Sequence, residues 1–250
     1  MSEHADENRA YWNGHAHEWV ERGERAWASA APYWGVFEVS NTDLPILPDD
    51  LAGRAAIELG CGTGYGSAWM ARRGASVFGI DISEEQLRTA HRLQDAAKLD
   101  IVFAHGDAEN VPRPDGSFDF ALSEYGAAIW CDPEVWLREA HRLLRDGGRL
   151  VFLGTHPLVV ACFDPAGEHI ERRLHRPYRG MRSVDWRNVS FEPGGIEFNR
   201  TFADWFALFR AVGFRRDDYR EVYAPAGATA SHAEWAREFP YEQVFWLTKR

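Results

Sequence analysis

The stretch that most limits what this chain can become is Ala55-Ala56-Ile57-Glu58-Leu59-Gly60-Cys61-Gly62-Thr63-Gly64-Tyr65-Gly66. A short apolar run ends in an acid and then in four glycines within seven residues, which reads as a buried strand entering a tight loop and leaving as a helix. Glycines at alternate positions remove the Cβ atoms that hold a ligand off the backbone, and the helix that follows offers unpaired N–H groups. A ligand-binding turn is expected here. Spacing speaks to which ligand. In the dinucleotide pattern G-x-G-x-x-G, counting from Gly60 puts the third glycine at Tyr65 and counting from Gly62 puts it at Ser67, so a nicotinamide cofactor loses its main support.

The same unit recurs along the chain. Ala75 to Ile80 is a second apolar run ending in Asp81, a third strand over Asp100 to Ala104 ends at His105-Gly106-Asp107-Ala108, and a fourth over Ser117 to Leu122 ends at Ser123-Glu124-Tyr125-Gly126. Helices are expected between them: Gly66 to Arg73 closed by Gly74, one opened by the capping pattern Ser83-Glu84-Glu85-Gln86, and one opened by Asp132-Pro133 before a fifth strand, Arg149 to Leu153. Such strand and helix alternation predicts a parallel sheet with right-handed crossovers. In such sheets ligands sit beyond the carboxyl ends of the strands, where the polar clusters at Glu58, Asp81, Asp107 and Glu124 converge.

The E-L-G-x-G-x-G loop followed by the strand ending in Asp81 resembles the class I S-adenosylmethionine-dependent methyltransferases of the small-molecule, ubiquinone-biosynthesis-like kind. The resemblance implies a Rossmann-like, doubly wound α/β fold: a mostly parallel seven-stranded sheet whose last strand is antiparallel. It divides one domain of 250 residues into an N-terminal helical cover (1–53), a cofactor-binding core (54–154), a lid insertion after strand five (155–200), and a last helix with a C-terminal hairpin (201–250). It implies S-adenosyl-L-methionine as cofactor and in-line methyl transfer to a small-molecule acceptor.

A carboxylate accepts both donors of a ribose diol, which points to Asp81, with Ile82 beside it. Asp107 suits the adenine amine and the Ala108 amide the ring. By resemblance, Glu58 and the backbone of Gly60, Cys61 and Gly62 hold the methionyl portion, with the Ser123 carbonyl region near its ammonium, and an N-terminal helix over residues 7–27 folds across the cofactor, bringing Tyr11 and Trp19 against it. Glu58 is also placed to tie down loop amides, and Asp107 to form a turn. A catalytic base is needed only for a weakly acidic hydroxyl or an enolisable carbon, and the candidates beyond strands four and five are Glu124, Tyr125, Trp130 and His156, of which Glu124 and His156, the latter directly after strand five, stand out. Gln86 is expected to serve only the start of its helix.

Charge narrows the acceptor. With 28 Lys plus Arg against 38 Asp plus Glu, the net charge of −10 opposes phosphate-rich partners, and Ser123-Glu124-Tyr125-Gly126 stands where amine-methylating nucleic-acid enzymes carry Asn/Asp-Pro-Pro-Tyr/Phe. No nucleic-acid or membrane partner and no metal is expected. Three cysteines without C-x-x-C spacing support neither a disulfide framework nor zinc. The polar, acidic first residues and the lack of a long apolar run lead to the expectation of a cytoplasmic protein. The irregular segment 154–200, with His156, Tyr178, Trp186 and Gly194-Gly195, is expected to carry a short hairpin and to recognise an apolar or aromatic acceptor, with Trp130, Tyr178 and Trp186 as walls. An oxidoreductase and a non-catalytic cofactor-binding module are the competing readings. The acceptor's identity, the methylated atom and the oligomeric state are not encoded in these patterns.

Overall fold

The computed structural model describes residues 2–166, 169–187, 195–230 and 232–250. Gly194 of the Gly194-Gly195 pair lies outside them. The N-terminal cover is α1 (Glu3–His15), a tight 3-10 turn (Ala16–Trp19) and α2 (Val20–Ala28). The single helix expected over 7–27 thus begins earlier and is divided, in keeping with the low helix preference of Gly14 and Gly23 within it.

The core follows as β1 (Ala55–Leu59), α3 (Tyr65–Arg72), β2 (Ser76–Asp81), α4 (Glu84–Ala97), β3 (Ile101–His105), β4 (Phe118–Glu124), α5 (Ala127–Trp130), α6 (Pro133–Leu143) and β5 (Leu144–Thr155). After it come α7 (Pro157–Cys162), a two-stranded antiparallel ladder of Ser183–Asp185 with Ile196–Phe198, α8 (Phe202–Val212), β6 (Phe214–Val222), α9 (Ala233–Ala236) and β7 (Glu242–Lys249). The caps read from sequence hold their helices, Ser83 Oγ accepting from Gln86 N and Asp132 from Glu134 N, and Thr201 caps α8 in the same way by accepting from Asp204 N. Strand five starts sooner than Arg149 because Leu144 already pairs with Phe118, leaving the Asp146-Gly147-Gly148 turn inside the strand as an irregularity.

The seven strands lie in the order β6-β7-β5-β4-β1-β2-β3, with β7 antiparallel to both neighbours and the others parallel. The order reverses between β1 and β4, so a crevice opens at their carboxyl ends. Alternation along each strand feeds two cores. Ala56, Leu122, Leu153 and Val244 face one side with Trp34 and Trp69, while Ile57, Phe152 and Phe245 face the other with Trp136, Trp205 and Phe209. The aromatic stripe of α8 is therefore packing: Phe209 lies 5.1 Å from Phe245, a geometry worth about 0.5–1.5 kcal/mol beyond burial.

Candidate active site

Outside the carboxyl ends of β1, β2 and β4 lies a cavity of about 230 Å³, bounded by the glycine loop, α1, α2, the segment after β4 and the insertion after β5. The glycine loop is its floor. Gly60 N and Cys61 N both donate to Ile80 O, at 2.9 and 3.0 Å, pinning the loop to β2. Gly60 has φ +75°, and a Cβ there would lie 2.6 Å from Gly126 Cα and 2.7 Å from Ala127 N, so only glycine lets the loops after β1 and β4 meet. At Gly62, φ +52°, the space that a Cβ would fill is open, with Gln86 Oε1 3.9 Å away.

Asp81 sits at the end of β2 and does two jobs. Its Oδ2 accepts from Gly62 N at 2.6 Å and its Oδ1 from Ser83 N at 2.8 Å, joining loop to helix. A carboxylate has about four lone-pair directions, so acceptor capacity remains on the cavity side. Burial pushes its pKa up, against the bonds from Ser83 and Gly62. Asp107 likewise both turns the chain, accepting from Glu109 N at 2.9 Å, and lines the cavity with Ala108 and Ile82.

Glu58 is 3% exposed, and its Oε2 accepts from Ser67 N at 2.6 Å and Ser67 Oγ at 2.5 Å, satisfying the first turn of α3. Burial dominates its titration and pushes it up to about 8, with Glu124 and Asp81 adding to the effect. It thus ties down the loop and also lines the cavity. Cys61 lines it too, as a thiol that burial keeps protonated.

The cover is sewn on by buried polar bonds. Asn8 donates to Trp130 O and Ile196 O and accepts from Ile196 N; Trp27 Nε1 donates to Thr63 O of the glycine loop; Ser83 Oγ donates to Asn13 Oδ1. His4 pairs with Glu109 at 2.8 Å. These contacts place Trp12 and Trp19 in the cavity wall, with Trp130 5.2 Å from Trp12.

Several expected residues are placed elsewhere. Tyr11 is outside the lining and stacks on His15 at 4.1 Å, because one residue step turns a helix by about 100° and Trp12 takes the inward direction. The Ser123 hydroxyl donates to Leu59 O and accepts from Ala128 N, bracing β1 against α5, so the group of Ser123 left for the ammonium is its carbonyl. His156 is 1% exposed and outside the lining, its Nδ1 accepting from Leu158 N at the start of α7 and its Nε2 3.5 Å from Glu221. Burial depresses it to about 4. It is a cap, not a base for this cavity. Tyr178 is not in the wall either, and its hydroxyl accepts from Phe202 N.

Glu124 does line the cavity. Its Oε1 accepts from Gly35 N at 2.8 Å, burial raises its pKa, and the Arg22 charge is the main influence opposing that rise. Residues that sequence reasoning missed complete the lining, His4, Asn8, Trp12, Arg22 and Gln86 among them, and Tyr125, a candidate from the sequence, lines it as well. Gln86 carried a signal in its place at the start of α4, directly opposite the loop. The others missed come from distant segments and carried none.

The chemistry of this donor set fits S-adenosylmethionine. Asp81 and Asp107 offer acceptors for a diol and an amine, while the buried Gln86 Oε1 and Trp12 Nε1, both in the lining, have no hydrogen-bond partner among the described residues.

Residues 57–152 match the family described as "Methyltransferase domain". The demethylmenaquinone methyltransferase of Clavibacter sepedonicus is 37% identical over 187 residues, covering 73% of either chain. The fatty-acid O-methyltransferase of Mycolicibacterium smegmatis is 33% identical over 110 residues, 43% of this chain and 39% of that protein. Among solved structures, an S-adenosylmethionine-dependent methyltransferase from Mesorhizobium loti superimposes with a TM-score of 0.67 at 27% identity, covering 82% of this chain and 95% of that one. Likeness that runs this far beyond the glycine loop, on the sheet order just described, makes the chain a member of the class I S-adenosylmethionine-dependent methyltransferases acting on small molecules.

Proposed function

We propose that the acceptor is an apolar, aromatic small molecule carrying an ionisable O–H or N–H, and that the two ends of the cavity divide the work. The observation that carries this is the continuity of the lining: the glycine loop with Asp81 and Asp107 at one end, and Trp130, Phe163, Trp186 and Tyr241 at the other. Bound S-adenosylmethionine supplies an electrophilic methyl group on a cationic sulfur. Asp81 accepts from the ribose diol, Asp107 and the Ala108 amide take the adenine, and Gly60, Cys61 and Gly62 with Glu58 border the methionyl portion. Trp12 and Trp19 cover them.

The protein's share is alignment and exclusion of water, which can lower a barrier by roughly 7–11 kcal/mol. The aromatic wall orients a flat acceptor. Trp186 is fixed there by a bond from its Nε1 to Glu197 Oε2 at 2.6 Å, and Arg176 stacks 5.0 Å from its ring. Glu124, pushed up by burial and drawn down by the Arg22 charge, stands at the end of β4 where the two ends meet. Relatives named for demethylmenaquinone and for fatty acids are in keeping with an apolar acceptor. Among the described residues no helix is long and apolar enough to cross a membrane.

Transfer of radiolabelled methyl from S-adenosylmethionine to a panel of hydroxylated naphthalenes, with aliphatic amines and sugars as a counter-panel, tests this reading. Turnover confined to the aromatic panel is expected, with Trp186→Ala raising KM by roughly tenfold. Turnover confined to the hydrophilic panel contradicts it.

A further inference from the structure

One buried acid at the acceptor end has no part in the scheme above. Glu242 opens β7 opposite Thr155, the last residue of β5, and is fully shielded. Its Oε1 accepts from Val36 N at 2.8 Å and from the Tyr125 hydroxyl at 2.8 Å, while its Oε2 is buried without a hydrogen-bond partner among the described residues. A carboxylate oxygen left so in a dry place is costly. Tyr125 connects this acid to the cavity, because the same residue lines it.

Tyr125 is itself held in a rare backbone conformation, φ +51°, with its N–H donating to Leu153 O. A bulky residue keeps such a conformation only where its surroundings impose it, and these outliers gather at functional sites. A phenol has one proton. Here that proton points at Glu242, so the oxygen offers only lone pairs to any other partner.

We propose that Tyr125 and Glu242 form a proton path that deprotonates the acceptor during methyl transfer, Tyr125 touching the acceptor and Glu242 receiving the proton. The proposal rests on the aromatic end of the cavity being the acceptor site. As the acceptor's X–H bond breaks, its proton forms a bond to Tyr125 Oη, the proton already on Oη passes to Glu242, and the electron pair left on X takes the methyl group. Tyr125 ends neutral and Glu242 ends as the acid.

The charges around Glu242 favour it as terminus. Arg22 from α2, Glu124 from β4 and Tyr125 from the loop beyond face it, so one cation stands among two carboxylates. Arg22 opposes the effect of burial most strongly at Glu124, whereas burial, aided by the Glu124 charge, pushes Glu242 up to about 7.

The test uses 4-nitrophenol, which is yellow only as the phenolate, added to the protein saturated with S-adenosylhomocysteine at a pH where the free probe is mostly neutral. Bound probe is expected as phenolate in the wild type. Glu242→Gln keeps an acceptor for Val36 N and Tyr125 but takes up no proton, and its bound phenolate fraction is expected to fall about tenfold, one unit of ionisation. Tyr125→Phe cuts the same path from the cavity side and keeps the test usable if Glu242→Gln does not fold. Phenolate unchanged in both variants overturns the proposal, as does its loss in Glu124→Gln alone, which makes Glu124 the base. A wild type that binds S-adenosylhomocysteine but not the probe overturns the aromatic-acceptor reading, and this proposal with it.

Discussion

The two ends of the cavity are built in opposite ways. The cofactor end comes almost entirely from one continuous stretch, Glu58 to Ala108, in which each strand delivers its polar residue where the next loop begins. The acceptor end is gathered from Arg22, Val36, Tyr125, Thr155, Phe163, Trp186 and Tyr241, pieces of the cover, the insertion and the last loop. One end is a local motif that a chain carries wherever the sheet forms; the other exists only when distant segments have docked. The difference explains how one sheet can keep its cofactor while its acceptor varies.

Substitutions at the seam should have the largest effect. Gly60 is where the loop after β1 meets the one after β4, and Gly60→Ala combines a strained φ with contacts under 3 Å to Gly126 and Ala127. A loss of roughly 2–5 kcal/mol in urea unfolding is expected. Wild-type stability would show that the two loops need not touch.

A cut in the cover should divide the ends more selectively. Asn8→Ala removes bonds to Trp130 O and to both polar groups of Ile196, and about 1–3 kcal/mol of stability is expected to go. Faster hydrogen exchange confined to α1 and the insertion would sharpen the contrast, and faster exchange in β1 and β2 would erase it.

The smallest effect concerns pH. The bond from Glu109 raises the His4 pKa above its usual 6.5, so the pair stabilises the fold fully below the unfolded value and loses that contribution as pH rises through the folded one. His4→Gln should narrow the difference in unfolding free energy between about pH 6 and pH 8, by less than about 1 kcal/mol for so peripheral a pair. An unchanged difference would remove the pair as a clasp of the cover.

What was legible in the sequence follows the same division. The strand order of events, the helix caps and the acids at strand ends are decided within a few residues, and Asp81, Asp107, Glu58 and the glycines lie where local reasoning put them. Tyr11 misses the cavity by one helical step, which turns Trp12 inward in its place, and His156 lies one residue beyond the end of β5, where it caps α7 while Thr155 lines the cavity. Nothing local marks Arg22, Tyr125 and Glu242 as neighbours, since tertiary docking alone brings them together.

The most direct test of the account is a calorimetric titration of S-adenosylhomocysteine into the wild type and Asp81→Asn. The substitution removes a charged acceptor while keeping the side chain's shape, and an affinity at least about tenfold weaker is predicted, from the roughly 1.5–3 kcal/mol of a hydrogen bond to a charged group. Equal affinity in the two proteins would contradict the placement of the cofactor at the ends of β1 and β2, and the division of the cavity with it.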